Sequence, residues 1–149
     1  MKLLLLLLPL YVFSIDLDYT INQIKTHEGF KSKPYVDNGH YSIGYGINLS
    51  HVTKAEANLL LTHRLSIRYE QLKAHRWFNN LSPTRQQVIL NMTYQLGYSG
   101  ILKFKKMVWA LSHNYYNGAA NEMINSRWYR QSGYRAKTLV QQMKTNKRS

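Results

Sequence analysis

Pro34-Tyr-Val-Asp-Asn-Gly-His-Tyr-Ser-Ile43 is the stretch whose reading decides the fold. Asn38-Gly39 stands between two β-prone runs, which is the strongest short-range hairpin signal and calls for a two-residue type I′ turn. Such a turn fixes the register, so that Asp37 faces His40, Val36 faces Tyr41 and Tyr35 faces Ser42. Side chains alternate along a strand, so Tyr35, Asp37, His40 and Ser42 share one face. Asp37 and Ser42 are then diagonal neighbours, close enough to hold one water between them. Beyond the hairpin, Gly44 and Gly46 allow a further bend or a close backbone approach.

Upstream, Asp18 is expected to cap a short helix ending at Glu28, with Ile21 and Ile24 on its buried stripe and Gly29 at the C′ position. Glu28 lies seven residues after Ile21 and four after Ile24, so it continues that stripe. A carboxyl held against a core face is desolvated, which favours its neutral, proton-donating form. Taken alone, a Glu in a last helical turn is ordinarily a solvated charge, and an Asp beside a turn is ordinary turn chemistry.

Downstream, Thr53-Lys-Ala-Glu56 reads as a capping box opening a helix to about Ala74, roughly 33 Å long at 1.5 Å per residue and long enough to bridge two lobes. Ser82 followed by Pro83 marks another helix start, with Val88, Ile89, Met92 and Leu96 as its apolar stripe and Gly97 as its end. Further helices are expected near 101–112, 115–126 and 134–144. The expected architecture is mostly helical α+β: a small lobe with a β-hairpin over 15–52, a connecting helix over 53–76 and an all-helical lobe over 77–149.

The 149 residues suit one domain, and 44% hydrophobic content supplies a core. No cysteine is present, which excludes a disulfide scaffold, a thiol nucleophile and a cysteine zinc site. The formal charge of +13 points to an anionic partner. It is unevenly placed. Ile15 to Asn80 holds 8 basic and 6 acidic residues, whereas Leu81 to Ser149 holds 11 basic residues and a single acid, Glu122. Lys103, Lys105, Lys106, Arg127, Arg130, Arg135 and Lys137 belong to that second half, which makes a one-signed field suited to docking a polyanion. Residues 1–14 read as an export signal: Lys2 precedes an apolar run from Leu3 to Phe13, too short to span a bilayer but of h-region length. Cleavage is expected after Ser14, with the mature chain secreted or exported.

Glycoside hydrolysis needs two carboxyl groups, one to protonate the leaving oxygen and one to activate water or attack the sugar. A helix ending in Glu, nine residues later an Asp, then a hairpin with a hydroxyl, is a pattern that would supply them. Glu28-Gly29, Tyr35-Val-Asp37, Gly39 and Ser42-Ile-Gly-Tyr-Gly46 resemble the active-site signature of the phage-type lysozymes, glycoside hydrolase family 24. Leu81-Ser-Pro-Thr-Arg through Asn91-Met-Thr-Tyr-Gln-Leu-Gly97 resembles that family's central cleft-lining helix. Ser126-Arg-Trp-Tyr-Arg-Gln131 to Arg135-Ala-Lys137 is similar to its C-terminal signature. The blocks span about Thr20 to Lys144, in the family's order.

The resemblance implies a lysozyme-like fold and hydrolysis of the β-1,4 bond between N-acetylmuramic acid and N-acetylglucosamine in peptidoglycan, with inversion. It implies Glu28 as general acid and Asp37, with the Ser42 hydroxyl, positioning or activating water. Arg135 would pair with Glu28, and Tyr94 and Gln95 would line the cleft. An arginine beside Glu28 favours the ionised form, opposing desolvation. The family usually has Thr where this chain has Ser42, which keeps the hydroxyl. The Asp37 to Ser42 spacing is one residue shorter than usual, compensated by the two-residue loop. Ile47 replaces a cleft-edge His of some members.

Six histidines lack any metal-binding spacing, and no metal or cofactor is implied. Trp77, Trp109 and Trp128 could stack on sugars, but at helical positions they read as core. Asn48, Asn80 and Asn91 each open a formal glycosylation sequon. The expected partners are peptidoglycan and, through the basic lobe, anionic wall polymers. The chain is read as a monomer that does not bind nucleic acid, because export and the absence of regularly interleaved aromatics argue against that. The competing class is a non-catalytic cationic wall- or membrane-binding antibacterial protein.

Overall fold

A computed structural model describes residues 16–148. The expected export signal at 1–14 lies outside the described residues. Helices account for most of the described chain, with one three-stranded antiparallel sheet near its start. The chain separates into two compact units, one ending at Thr53 and the other beginning at Lys54.

The first unit opens with α1, Leu17–Glu28. Its cap is Asp16, whose side chain accepts from the Tyr19 N–H at 2.9 Å, and not Asp18, which lies in the first turn. Both acids favour the N-terminal dipole, but only Asp16 takes the extended backbone that lets a side chain reach the N3 amide. Gly29 closes the helix with φ 66°, its N–H returning to the Lys25 carbonyl at 3.1 Å. The apolar stripe is not buried: Ile21 and Ile24 are 38% and 49% exposed, and no residue of α1 is buried. A four-residue apolar spacing marks a face without saying what covers it.

Strands β1 (Lys31–Asp37) and β2 (His40–Gly44) form the hairpin in the expected register, with Tyr35 opposite Ser42, Val36 opposite Tyr41 and Asp37 opposite His40. Asn38 and Gly39 have φ of 46° and 86°, the pair of positive values a type I′ turn requires. The ladder shifts between Lys31 and Tyr35, where Pro34 has no N–H to donate. A third strand, β3 (Ile47–Asn48), returns along β2 through the bend at Gly44 and Gly46, both at positive φ.

The second unit begins with α2, Lys54–Lys73, which starts directly after Thr53. Then come α3 (Arg76–Asn79), α4 (Pro83–Leu96), α5 (Tyr98–Leu102), α6 (Lys105–Ser112), α7 (Tyr116–Ile124) and α8 (Arg127–Thr145). Ser82 caps α4 by accepting from the Arg85 N–H, with Pro83 in the first turn, and Gly97 ends it at φ 74°. Val88, Ile89 and Met92 are fully buried and Leu96 packs partly against the core, as the stripe requires. The helix expected over 101–112 is broken between Leu102 and Lys105. The helix expected over 134–144 is present as the part of α8 that follows Gly133, and a helical stretch that was not expected precedes it, capped by Ser126, whose hydroxyl accepts from the Tyr129 N–H at 3.1 Å. Gly133 (φ 53°, ψ −128°) is not helical and separates the two stretches with a sharp kink. The core joins Leu72, Phe78, Ile89, Met92, Ile101, Met107, Leu111, Met123 and Met143, drawn from α2 to α8.

Candidate functional site

Glu28, Asp37 and Ser42 all belong to the first unit, and local chemistry places each. Glu28 ends α1 because Gly29 turns the chain. The next residue, Phe30, packs against Tyr45 with ring centroids 5.4 Å apart, and Lys25 sits 5.8 Å from the same Tyr45 ring. These contacts fasten the turn between β2 and β3 onto the end of α1, which brings the Gly46 backbone against the Glu28 carboxyl. A Cβ at position 46 would lie 2.7 Å from Glu28 Oε2, so the carboxyl would have to move aside. Gly46 therefore serves both its positive φ of 72° and this close approach. Glu28 itself is exposed, contrary to the desolvated carboxyl expected from its place on the stripe. With Ile21 and Ile24 also open, that stripe gives it no apolar cover.

The hairpin sorts its faces as its register demands. Val36 and Tyr41 are 68% and 62% exposed on one side. On the other, Tyr35, Asp37 and His40 are half-buried and Ser42 is fully buried. Lys31 Nζ lies 3.7 Å from the Tyr35 ring centroid and covers that end of the face. Ser42 Oγ has no hydrogen-bond partner among the described residues. A buried hydroxyl left unpaired costs free energy unless a water or ligand satisfies it, so such a group is retained against a stability penalty. The structure thus brings Asp37 and Ser42 onto one face and Glu28 against Gly46.

Tyr94, Gln95 and Arg135 belong to the helical unit. Tyr94 and Gln95 are exposed near the end of α4, and Gln95 Oε1 accepts from the Trp128 indole N–H at 2.8 Å. Arg135 on α8 is half-buried and donates from Nε to Asn91 Oδ1 at 2.7 Å and from a terminal nitrogen to the Asn91 carbonyl at 3.3 Å. These bonds fix the guanidinium to α4. The anchoring role of Asn91 was missed, although an Asn one turn from Gln95 on the same helix was a usable signal. Asn91 also opens a sequon, yet its Oδ1 is engaged and Thr93 is buried with its hydroxyl donating to the Ile89 carbonyl. Asn48 and Asn80 are exposed. Trp128 is buried and Trp77 packs partly against the core, as expected, but Trp109 is 60% exposed, so the core reading fails there.

Among the described residues no three His, Cys, Asp or Glu side chains gather as a metal site would need. The family model for phage lysozyme matches residues 25–146, from just before Glu28 through the end of α8.

The chain belongs to the phage lysozyme family.

Two curated relatives, both from Dictyostelium discoideum, share sequence with this family member. Probable T4-type lysozyme 1 is 26% identical over 98 residues, covering 63% of this chain and 58% of the relative. Probable T4-type lysozyme 2 is 32% identical over 68 residues, covering 46% of this chain and 40% of the relative. This phage lysozyme family chain thus spans about half the length of the relatives it matches.

Proposed function

We propose that this protein is a muramidase that hydrolyses the β-1,4 bond between N-acetylmuramic acid and N-acetylglucosamine in peptidoglycan. The observation that carries this reading is the hairpin face that joins the half-buried Asp37 to the buried, unpartnered Ser42 hydroxyl. Membership of the phage lysozyme family supports it.

In this reading Glu28 donates its proton to the glycosidic oxygen as the bond to the leaving sugar breaks. Asp37 accepts one proton from the attacking water, and Ser42 Oγ accepts a hydrogen bond from its other O–H, which stays on the product, and fixes its direction. Water adds to the anomeric carbon on the face opposite the leaving group, so the product is inverted. Glu28 ends protonated only after proton exchange with solvent, to which it is open. Tyr94 and Gln95 bind the glycan, and Asn91 holds the Arg135 guanidinium in place. The working enzyme is exported by the signal over residues 1–14 and acts as a monomer.

The test is release of reducing ends from purified peptidoglycan by the chain and by its Glu28→Gln variant. A general acid supplies about 10²–10⁴-fold in rate, and the variant should lose that much while its thermal unfolding is unchanged. Nuclear magnetic resonance of the first product should show the α-anomer, where retention would give the β-anomer. If neither protein releases ends yet both lyse cells at low salt, the cationic-binder reading replaces this one.

A further inference from the structure

Trp109 is the large aromatic that the core leaves out. It is 60% exposed on α6, yet its ring is not loose: it stacks on His113, with centroids 4.3 Å apart and planes at 28°. His113 is itself tied back, its Nδ1 lying 2.8 Å from the Trp109 carbonyl. Beside it Tyr115 is 55% exposed and packed over Gly118, where any Cβ would overlap its ring. Glycine at 118 is thus the residue that lets Tyr115 lie flat along α7. Trp109, Tyr115 and Gly118, with Lys105, Lys106 and Glu122, line a hollow of about 440 Å³ built wholly within the helical unit.

We propose that this hollow is an accessory carbohydrate site that holds an acidic glycan strand, with a sugar ring on Trp109 and the strand's carboxylate at Lys105 and Lys106. Three features select that ligand. A preorganised, exposed indole offers a flat apolar surface to the C–H face of a sugar without an ordering cost at binding. Lys105 and Lys106 precede Trp109 by four and three residues on one helix, so all three project from the same face. Two ammonium groups there attract an anion. Glu122, the only acid after Leu81, lines the same hollow. A carboxylate there repels a bare polyanion such as nucleic acid but accepts hydrogen bonds from sugar hydroxyls or an amino group. Hydroxyls, an apolar ring face and a separate anionic group coincide in a glycan that carries carboxylates, and the peptidoglycan of the proposed function is one, its carboxylates standing on the stem peptides. The inference rests on that reading for its choice of polymer, and not for the site's chemistry.

A second attachment point matters only for a long polymer, where it converts independent binding into retention. The experiment uses the full chain carrying Glu28→Gln, so that the polymer survives, and measures co-sedimentation with purified sacculi stripped of other wall polymers. Adding Trp109→Ala should weaken binding about tenfold. Trp109→Phe should recover most of that loss. Lys105→Gln with Lys106→Gln should weaken binding at low salt and converge with the parent at high salt. Thermal unfolding of each variant controls for folding, which an exposed side chain should not disturb.

Equal binding with and without Trp109, in a folded protein, overturns the proposal. So does Trp109-dependent binding that appears only on vesicles of anionic phospholipid and not on sacculi, which would make the surface a membrane contact. If the lysines matter and Trp109 does not, attraction is diffuse charge and the site is refuted. Failure of the muramidase reading shows separately, as absence of reducing-end release by the unmodified chain.

Discussion

The two units hold their shapes by different means. In the first, Ser42 is the only buried side chain among the described residues, and Leu17, Ile21, Ile24, Phe30 and Val36 are exposed. Its conformation comes from short-range devices: the Asp16 cap, the positive-φ glycines, the type I′ turn and the ladder between β1, β2 and β3. In the second, residues from seven helices meet in one apolar cluster. Burial there supplies about 1.5–3 kcal/mol for each large side chain, a term the first unit lacks. The residues proposed to do chemistry lie where burial contributes least, and one of them is a hydroxyl that burial penalises. Chemistry and stability should therefore separate under mutation.

The largest separation is expected at Glu28. Its Gln variant should cost two to four orders of magnitude in glycan cleavage and nothing measurable in unfolding. Phe78→Ala is the opposite probe. It empties a fully buried site between α2 and α6, and chemical denaturation should show a loss of about 3–5 kcal/mol. Activity per folded molecule should change little. Loss of cleavage far beyond the unfolded fraction would break the division between the units.

Ser42→Ala sharpens it. Removing an unpartnered buried hydroxyl should leave stability unchanged or raised, while misdirecting the attacking water should lower the rate about 10²-fold. If stability falls by more than about 1 kcal/mol, the hydroxyl is structural and the division is weaker than drawn. Gly46→Ala should do both kinds of damage, because its Cβ would meet Glu28 Oε2 at a position where φ is 72°. A cost of about 1–3 kcal/mol is expected, with reduced cleavage, measured by unfolding and reducing ends together. The smallest effect belongs to Ser126→Ala, which removes the α8 cap and should cost about 1 kcal/mol with cleavage retained.

Much of this was legible in the chain. The hairpin and its register followed from Asn38-Gly39 alone, since only a two-residue turn with positive φ joins strands of the right twist. The shared face of Asp37 and Ser42 followed from that register. The start, stripe and end of α4 followed from Ser82-Pro83 and Gly97. Choosing Asp18 as a cap missed by two residues, because the two acids differ only in backbone conformation. The part of α8 after Gly133 followed from its helical period, whereas the stretch before Gly133 was missed although Ser126 was already in view as part of a motif. Strand β3 is only two residues long, below what alternation can reveal.

Residue order by itself determined the features set by neighbours along the chain: turn type, strand register, caps, and which side chains share a face. Whether a face is covered depends on partners distant in sequence, and only the tertiary structure decided that. Ile21 and Trp109 carry apolar patterns as good as that of Ile89, yet only Ile89 is buried. The same physics left Glu28 open to solvent, closed Ser42 off without a partner and turned Trp109 outward. Local sequence fixes the direction of a side chain through a few torsions, whereas its surroundings are fixed by packing among segments that no local pattern encodes.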